Sequence, residues 1–161
     1  MVTFNIHQLL FLLYMEHSSG ILEYSDQIQL RNKQLFDPVR KLWVNYTPEE
    51  QVRQCVILWL HDVYKVPFGR MSVEKSIKIF KQTKRFDLVV FDDHLTPRLL
   101  VECKQPNHPI LQKIFEQAAL YNLEMKAPYL AITNGFHWLL AEIDFGAQNY
   151  QLIKQLPNYP F

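Results

Sequence analysis

Two carboxylates and a lysine lie in two stretches of β-forming residues that a short polar turn separates. Asp87 stands in the first stretch, and Glu102 and Lys104 stand two residues apart in the second. With the turn centred between His94 and Leu95, an antiparallel hairpin places Asp87 directly opposite Glu102. This register depends on the turn, because a slip of one residue moves every side chain of a strand to the other face.

Side chains alternate between the two faces of a strand, which assigns each hairpin residue to one face. The first face carries Arg85, Asp87, Val89, Leu100, Glu102 and Lys104. The opposite face carries Phe86, Leu88, Val101 and Cys103. The two acids and the lysine are therefore expected to meet on one side of the sheet.

This combination of side chains suits chemistry at a phosphodiester. Opposed carboxylates destabilise a sheet unless a shared proton or a bound cation neutralises them. Mg²⁺ binds carboxylate oxygens while it retains waters and the phosphate oxygens of a substrate. Lys104 is placed to orient or deprotonate a water, or to stabilise charge that develops at phosphorus. The three residues predict metal-assisted phosphodiester hydrolysis; the alternative is a surface hairpin in which Asp87 or Glu102 forms an ordinary salt bridge with Lys104 or Arg85.

A helix is expected before the hairpin. Thr47 can cap its N-terminus, Pro48 suits the first helical position, and Glu50 completes a capping box. Apolar residues then recur at helical spacing, so that residues 48–63 are predicted to form an amphipathic helix.

The rest of the chain alternates between extended and helical patterns. Strands are predicted at residues 73–79, 85–91, 98–104, 129–133 and 138–143, with an edge strand at 151–153. A second helix is predicted over residues 109–124, with Ile110, Ile114, Gln117 and Tyr121 along one stripe. This order predicts an α/β or α+β fold with a mixed central β-sheet flanked by α-helices.

Composition limits both the organisation and the function of the chain. It has 161 residues, 48% of them hydrophobic and 20% charged, which is typical of a folded globular domain. Residues 31–161 are expected to form that domain, and residues 1–30 an N-terminal arm or helix, with Met15 as an alternative start. The four glycines cannot form a phosphate-binding loop, which excludes a nucleotide-driven motor by fingerprint.

Cysteine use and hydropathy point to a cytoplasmic protein. The two cysteines, Cys55 and Cys103, provide neither a disulfide framework nor a zinc cluster, which fits a reducing compartment. The apolar run at residues 9–15 is too short to span a bilayer and lacks the flanks of a signal peptide. No membrane partner is expected.

Charge is distributed unevenly along the chain. The net charge is +1, but residues 65–85 contain seven basic side chains and a single acidic one, Glu74. Such a local cationic stripe suits an anionic partner that contacts one face of the protein. A solvated strand of alternating charge is the alternative. On the first interpretation, the residues expected to contact nucleic acid include Lys75, Lys84 and Arg85.

Asp87, followed after 14 residues by Glu102-Cys103-Lys104, resembles the signature of the PD-(D/E)xK nuclease superfamily. More narrowly, a series of blocks is similar, in order, to the N-terminal nuclease domain of type I restriction enzyme R subunits. These blocks are residues 47–54, 84–90, 101–104, 117–122 and 128–135. The similarity extends over roughly residues 40–145, and blocks in the right order are far more specific than any one of them alone.

The resemblance implies a restriction-endonuclease-like fold and an Mg²⁺-dependent endodeoxyribonuclease, with Mn²⁺ as a substitute ion. Asp87 and Glu102 would bind the metal together with the backbone carbonyl of Cys103, and Lys104 would be the catalytic lysine. Gln117 and Tyr121, one helical turn apart, would form the Gln-x-x-x-Tyr element that approaches the site. Gln117 is expected to meet a polar site beneath its apolar stripe, whereas Tyr121 could equally belong to the core.

The first helix would add a carboxylate that assists the metal. Glu50 is the predicted residue and Glu49 the alternative, while a capping role alone for Glu50 remains equally open. Arg53 and Gln54 share a face with Glu50 and could pair either with it or with phosphate.

These 161 residues depart from the family in one respect, because R subunits also carry a helicase motor and no phosphate loop exists here. ATP-driven translocation is therefore not carried over. The expected partners are DNA and the subunits of a restriction–modification system, and dimerisation is left open. The alternative function is a non-catalytic module that retains the nuclease fold and binds nucleic acid or a protein partner. The sequence does not decide between DNA and RNA.

Overall fold

A computed structural model describes residues 20–79 and 82–161 of the chain. The apolar helical stretch expected at residues 6–16 and the alternative start at Met15 lie outside the described residues. The α-helices are α1 (Pro48–Tyr64) and α2 (Gln112–Met125), and short 3-10 helices span Ile21–Gln27 and Phe68–Arg70. The strands are β1 (Leu30–Arg31), β2 (Gln34–Asp37), β3 (Leu42–Asn45), β4 (Met71–Ile79), β5 (Gln82–Phe91), β6 (Pro97–Cys103), β7 (Tyr129–Thr133), β8 (Trp138–Asp144) and β9 (Asn149–Leu152).

Strands β4 to β9 form one six-stranded sheet in which sequence order is also spatial order. β6 and β7 run parallel, and the other neighbours pair antiparallel. A parallel pair needs a crossover connection, and α2 lies within it. The predicted α/β fold, with a mixed central sheet flanked by helices, is confirmed.

A second, smaller sheet precedes α1 and was not predicted. β1, β2 and β3 form an antiparallel meander with β2 in the centre. Its strands have two to four residues, which is too short for a period of two to stand out in the sequence. Within the expected N-terminal arm, the 3-10 helix Ile21–Gln27 packs on α1 and buries Ile21 completely.

Each face of the large sheet is covered by one helix. On one side α1 packs Val56 and Leu60 into a core that also contains strand residues of alternating position, among them Leu88, Val90, Leu99, Val101 and Cys103. On the other side α2 packs Phe115 and Ala118 against the intervening residues, among them Val89, Leu100, Leu130 and Ile132. Burial of these apolar faces holds the three layers together.

The β5–β6 hairpin has the predicted register in its central part. Val89 pairs with Leu100 and Leu88 with Val101, which brings Asp87 and Glu102 to the next position along the two strands. Nearer the turn the register shifts by one residue, so that Phe91 pairs with Pro97.

The prediction that Phe86 faces away from Val89 and Leu100 is wrong. Phe86 joins these two residues in the core beneath α2, while Leu88 lies in the core beneath α1. The alternation therefore shifts at Asp87. In the neighbouring strand Glu74 lies between the partners of Phe86 and Leu88 and has a φ of 54°, so β4 is locally irregular at the same place.

The predicted start of the first helix is confirmed. Thr47 has extended backbone angles, and its hydroxyl accepts a hydrogen bond from the Glu50 N–H at 3.0 Å. Pro48 is the first helical residue, and the helix ends at Lys65, which adopts a left-handed conformation. Across the described ranges, no helix is long and apolar enough to cross a membrane.

Candidate active site

A groove of about 390 Å³ opens between the ends of β5 and β6 and the adjacent surface of α2. Its lining includes Lys84, Phe86, Glu102, Lys104, Gln117 and Tyr121. The acid comes from β6 and the lysine from the residue directly after it, since Glu102 and Lys104 follow Leu100 on the α2 side of the sheet. The helix contributes the glutamine and tyrosine. The groove therefore brings together four of the residues that the sequence analysis assigned to catalysis.

Glu102 and Lys104 form a direct ion pair in this groove. The Lys104 Nζ atom donates a hydrogen bond to Glu102 Oε1 at 2.6 Å, and both side chains are three-quarters buried. Burial raises the pKa of Glu102, and the negative charge of Asp87 raises it further, while Lys104 opposes both effects. Burial alone lowers the pKa of Lys104, but the hydrogen bond and charge of Glu102 outweigh that effect and raise it. Lys104 therefore remains an ammonium ion near neutral pH.

Asp87 stands close to this pair but is held differently. Its Oδ2 atom accepts a hydrogen bond from the backbone N–H of Cys103 at 2.7 Å, and its Oδ1 atom accepts one from Arg53 Nη2 at 2.7 Å. The carboxylate is thereby turned towards α1, whereas Glu102 faces α2. Each carboxylate oxygen retains one lone-pair direction that these bonds do not use.

Two glutamates at the start of α1 pair with the same arginine that holds Asp87. Glu50 is buried, and its oxygens accept hydrogen bonds from Arg40, Arg53 and Gln54. Glu49 is more exposed, lies 3.9 Å from Arg53, and adds to the negative charge that raises the pKa of Glu102. The Glu50 N–H is capped by Thr47, and its carboxylate is an ion-pair partner of the two arginines. Glu49 is the helix carboxylate whose charge raises the pKa of Glu102.

The helix α2 contributes a polar pair to the groove. Gln117 Nε2 donates a hydrogen bond to the Tyr121 hydroxyl at 2.8 Å, and Lys84 Nζ lies 4.9 Å from the centroid of the Tyr121 ring. The hydrogen bond from Gln117 lowers the pKa of Tyr121, and the neighbouring Lys84 lowers it further. Gln117 is exposed rather than part of the buried stripe, which consists of Phe115, Ala118 and Asn122. Tyr121 is half-buried at the wall of the groove.

The predicted nucleic-acid contacts divide into exposed and buried residues. Lys75 and Arg85 are exposed, and Lys84 is half-buried in the groove wall. Arg53 and Gln54 are buried and hydrogen-bonded to Glu50. In this structure both side chains pair with the Glu50 carboxylate, which is one of the two alternatives for this pair.

The donor atoms present suit a hard divalent cation. Asp87 and Glu102 offer carboxylate oxygens, and burial together with the negative charge of Asp87 raises the pKa of Glu102 in a way that a bound cation would offset. The thiol of Cys103 is fully buried with its pKa raised well above normal by burial, so only the backbone of this residue could serve. In residues 20–79 and 82–161, no three His, Cys, Asp or Glu side chains converge in a geometry that could hold a metal. Two side-chain ligands with waters are what Mg²⁺ commonly uses.

The sequence analysis missed Arg40, which lies in the turn between β2 and β3. Its guanidinium contacts Asp37 at 2.6 Å, Glu74 at 2.7 Å and Glu50 at 3.2 Å. Asp37 is fully buried and also accepts hydrogen bonds from the backbone of the turn. The spacing Asp37-x-x-Arg40 was the available signal, since an acid three residues before an arginine can pair with it across a tight turn.

The fold and the groove define an α/β domain that presents two acids and a lysine beside an amide–tyrosine pair. The family model for the type I restriction enzyme R protein N terminus (HSDR_N) matches residues 48–157. The chain belongs to this family.

One solved structure similar to this chain is a fragment described as an HsdR subunit of a type I restriction enzyme from Vibrio vulnificus YJ016. The two are 26% identical, the match covers 56% of this chain and 17% of the other, and the TM-score is 0.36. This chain therefore corresponds to a small part of that one. A comparison with curated proteins finds no match.

Proposed function

We propose that this domain is a metal-dependent endodeoxyribonuclease of a restriction system, with a restriction-endonuclease-like fold. The observation that carries the proposal is the Glu102–Lys104 ion pair, buried in a groove beside the negative charge of Asp87. Membership in the R protein N-terminal family supports the restriction role and makes DNA and the other restriction subunits the proposed partners.

Asp87 and Glu102 would hold Mg²⁺ or Mn²⁺, with the backbone carbonyl of Cys103 as the proposed third ligand. A bound metal would polarise the phosphate and favour ionisation of a water. Lys104 carries a raised pKa, so we assign it the orientation of the attacking water and stabilisation of charge at phosphorus, rather than removal of a proton.

The remaining groove residues would position the substrate. Gln117 and Tyr121 present an amide and a hydroxyl at the groove wall, and Lys84 supplies a cation beside them. Lys75 on β4 and Arg85 on β5 add exposed positive charge on these two neighbouring strands. Contacts of this kind fix the register of a nucleic-acid backbone without reading its sequence. Glu49 stands next to Glu50 in the chain, and its charge raises the pKa of Glu102. We therefore propose Glu49, alongside Glu50, as a helix carboxylate that assists the metal.

The test is cleavage of supercoiled plasmid in Mg²⁺ and in Mn²⁺. Wild-type protein should nick the plasmid, and Lys104→Ala should lower the rate by about 10²- to 10⁴-fold. Asp87→Asn and Glu102→Gln should have losses at least as large. Lys154→Ala, which removes an exposed lysine that follows β9, is the matched control and should cleave at the wild-type rate.

Circular dichroism and thermal unfolding must show that each variant is folded. Cleavage by Lys104→Ala at the wild-type rate would remove the proposal. Salt-sensitive DNA binding by wild type with no cleavage in either metal would favour the non-catalytic module. A labelled RNA of matching sequence, run in parallel, separates a ribonuclease from a deoxyribonuclease.

A further inference from the structure

Arg53 places a positive charge directly against the proposed metal ligand Asp87. Its Nη2 atom donates to Asp87 Oδ1 at 2.7 Å, and its Nη1 atom donates to Glu50 Oε2. Glu49 lies 3.9 Å away on the exposed side. One guanidinium therefore faces three carboxylates at the junction of α1 and β5.

The position of Arg53 is costly for the protein. The side chain is only 7% exposed, and its Nε–H finds no hydrogen-bond partner among the described residues. A buried donor without a partner destabilises the folded state. Glu50 is also bound by Arg40 and Gln54, so a charge partner for Glu50 exists without Arg53. Among the described side chains, Arg53 is the one that donates a hydrogen bond to Asp87.

The second oxygen of Asp87 is fixed independently. Its Oδ2 atom accepts the Cys103 N–H at 2.7 Å, so the two hydrogen bonds together hold the carboxylate plane in one orientation. A guanidinium in hydrogen-bond contact also repels any divalent cation that the same carboxylate binds. Arg53 can thus order a metal ligand and weaken metal binding at the same time.

We propose that Arg53 is a positioning residue that orients Asp87 for the reaction and lowers the affinity of the groove for divalent cations. The inference rests on the proposed function for the role of Asp87. The geometry of Arg53 should favour the reaction by orienting Asp87, whereas its charge should weaken metal binding. Two substitutions separate these effects. Arg53→Gln removes the charge and shortens the side chain, while Arg53→Lys keeps the charge and removes the planar fork.

The experiment measures Mn²⁺ binding by calorimetry and, separately, maximal plasmid cleavage at saturating Mn²⁺. Arg53→Gln should bind Mn²⁺ about fivefold more tightly because a neighbouring cation is gone. Its maximal cleavage rate should fall roughly tenfold or more because Asp87 loses its orientation. Arg53→Lys should bind Mn²⁺ within about twofold of wild type, since the charge remains, and should cleave at an intermediate rate.

Arg31→Gln, which removes an exposed arginine on β1, is the charge-matched control and should leave Mn²⁺ affinity unchanged. If Arg53→Gln alone does not fold, Arg53→Gln with Glu50→Gln removes the opposite charges together and is compared with Glu50→Gln. Mn²⁺ affinity that is unchanged or weaker in the Arg53→Gln protein overturns the inference. Absence of cleavage by wild type defeats the proposed function instead, and the calorimetric comparison still decides the role of Arg53.

Discussion

The two faces of the large sheet treat charge in different ways. On the α1 side, Glu50 and Asp87 accept hydrogen bonds from arginine side chains, and Glu50 is almost inaccessible to solvent. Beneath α2 the acid Glu102 stands in an open groove with Lys104 as its partner. One hairpin therefore sends its two acids into two environments.

The two environments suit different roles for the two acids of the hairpin: a fixed orientation for Asp87 and reactivity for Glu102. A carboxylate held by arginine and a backbone N–H has little freedom to move, which suits a ligand that must keep one geometry. A carboxylate whose pKa is raised by burial and by a neighbouring negative charge is electrostatically poised for a cation or a proton. The arginine network on the α1 side should therefore govern stability and fix the orientation of Asp87, whereas Glu102 and Lys104 in the groove should contribute mainly to activity.

The largest effect on stability is expected from Glu50→Ala. This change leaves Arg40 and Arg53 without a shared carboxylate in a buried region, which should cost about 3–5 kcal/mol of unfolding free energy. Urea unfolding measures the loss. Glu102→Ala is the matched change on the other face and should alter stability by about 1 kcal/mol or less. Equal losses for the two variants would erase the contrast between the faces.

A smaller loss of unfolding free energy is expected from Gly135→Ala. This change tests how tightly the first 3-10 helix, which packs on α1, contacts Gly135. Gly135 has a φ of 87°, and an added Cβ would lie 2.7 Å from the Leu22 side chain. Overpacking of this kind costs about 1–3 kcal/mol, measurable as a lower urea midpoint. Gly69→Ala is the control, because nothing lies within 4 Å of the added atom. A stability equal to wild type for Gly135→Ala would show that Leu22 moves aside freely.

The smallest effect concerns the titration of Glu102. Lys104 lowers the pKa of Glu102 against the effects of burial and of Asp87, so Lys104→Ala should raise it further, as followed by carbon-13 NMR of the carboxyl group. Because the folded pKa lies above the unfolded one, the folded state binds the proton more tightly. This contribution to stability is present below the unfolded pKa and is lost as pH rises through the folded pKa. A lower pKa in Lys104→Ala would contradict the assigned balance of charges.

The sequence predicted much of the fold because its local patterns agree with the tertiary structure. The Thr47-Pro48 start, the β-rich segments and the turn after Phe91 each depend on near neighbours, and each was found. The register of Val89 with Leu100 followed from the same alternation. The small sheet of β1 to β3 escaped prediction because two-residue and four-residue strands carry too little pattern.

The candidate site was predicted in part. Glu102 and Lys104 on one face follow from a spacing of two, and Gln117 next to Tyr121 follows from a spacing of four. The sides taken by Phe86 and Asp87 do not follow, because the alternation shifts where β4 is irregular at Glu74.

The sequence by itself determined which groups could do chemistry and which neighbours along a strand or helix would meet. Only the tertiary structure decided that Arg40, from a turn before α1, and Arg53, from α1 itself, would neutralise Glu50, and that Arg53 would also hold Asp87. Local periodicity specifies which face of its own strand or helix a side chain occupies. Ion pairing between elements depends instead on how α1 packs against the sheet. That packing is determined by the apolar surfaces of the helix and the sheet and by the cost of burying a charge without a partner of opposite charge.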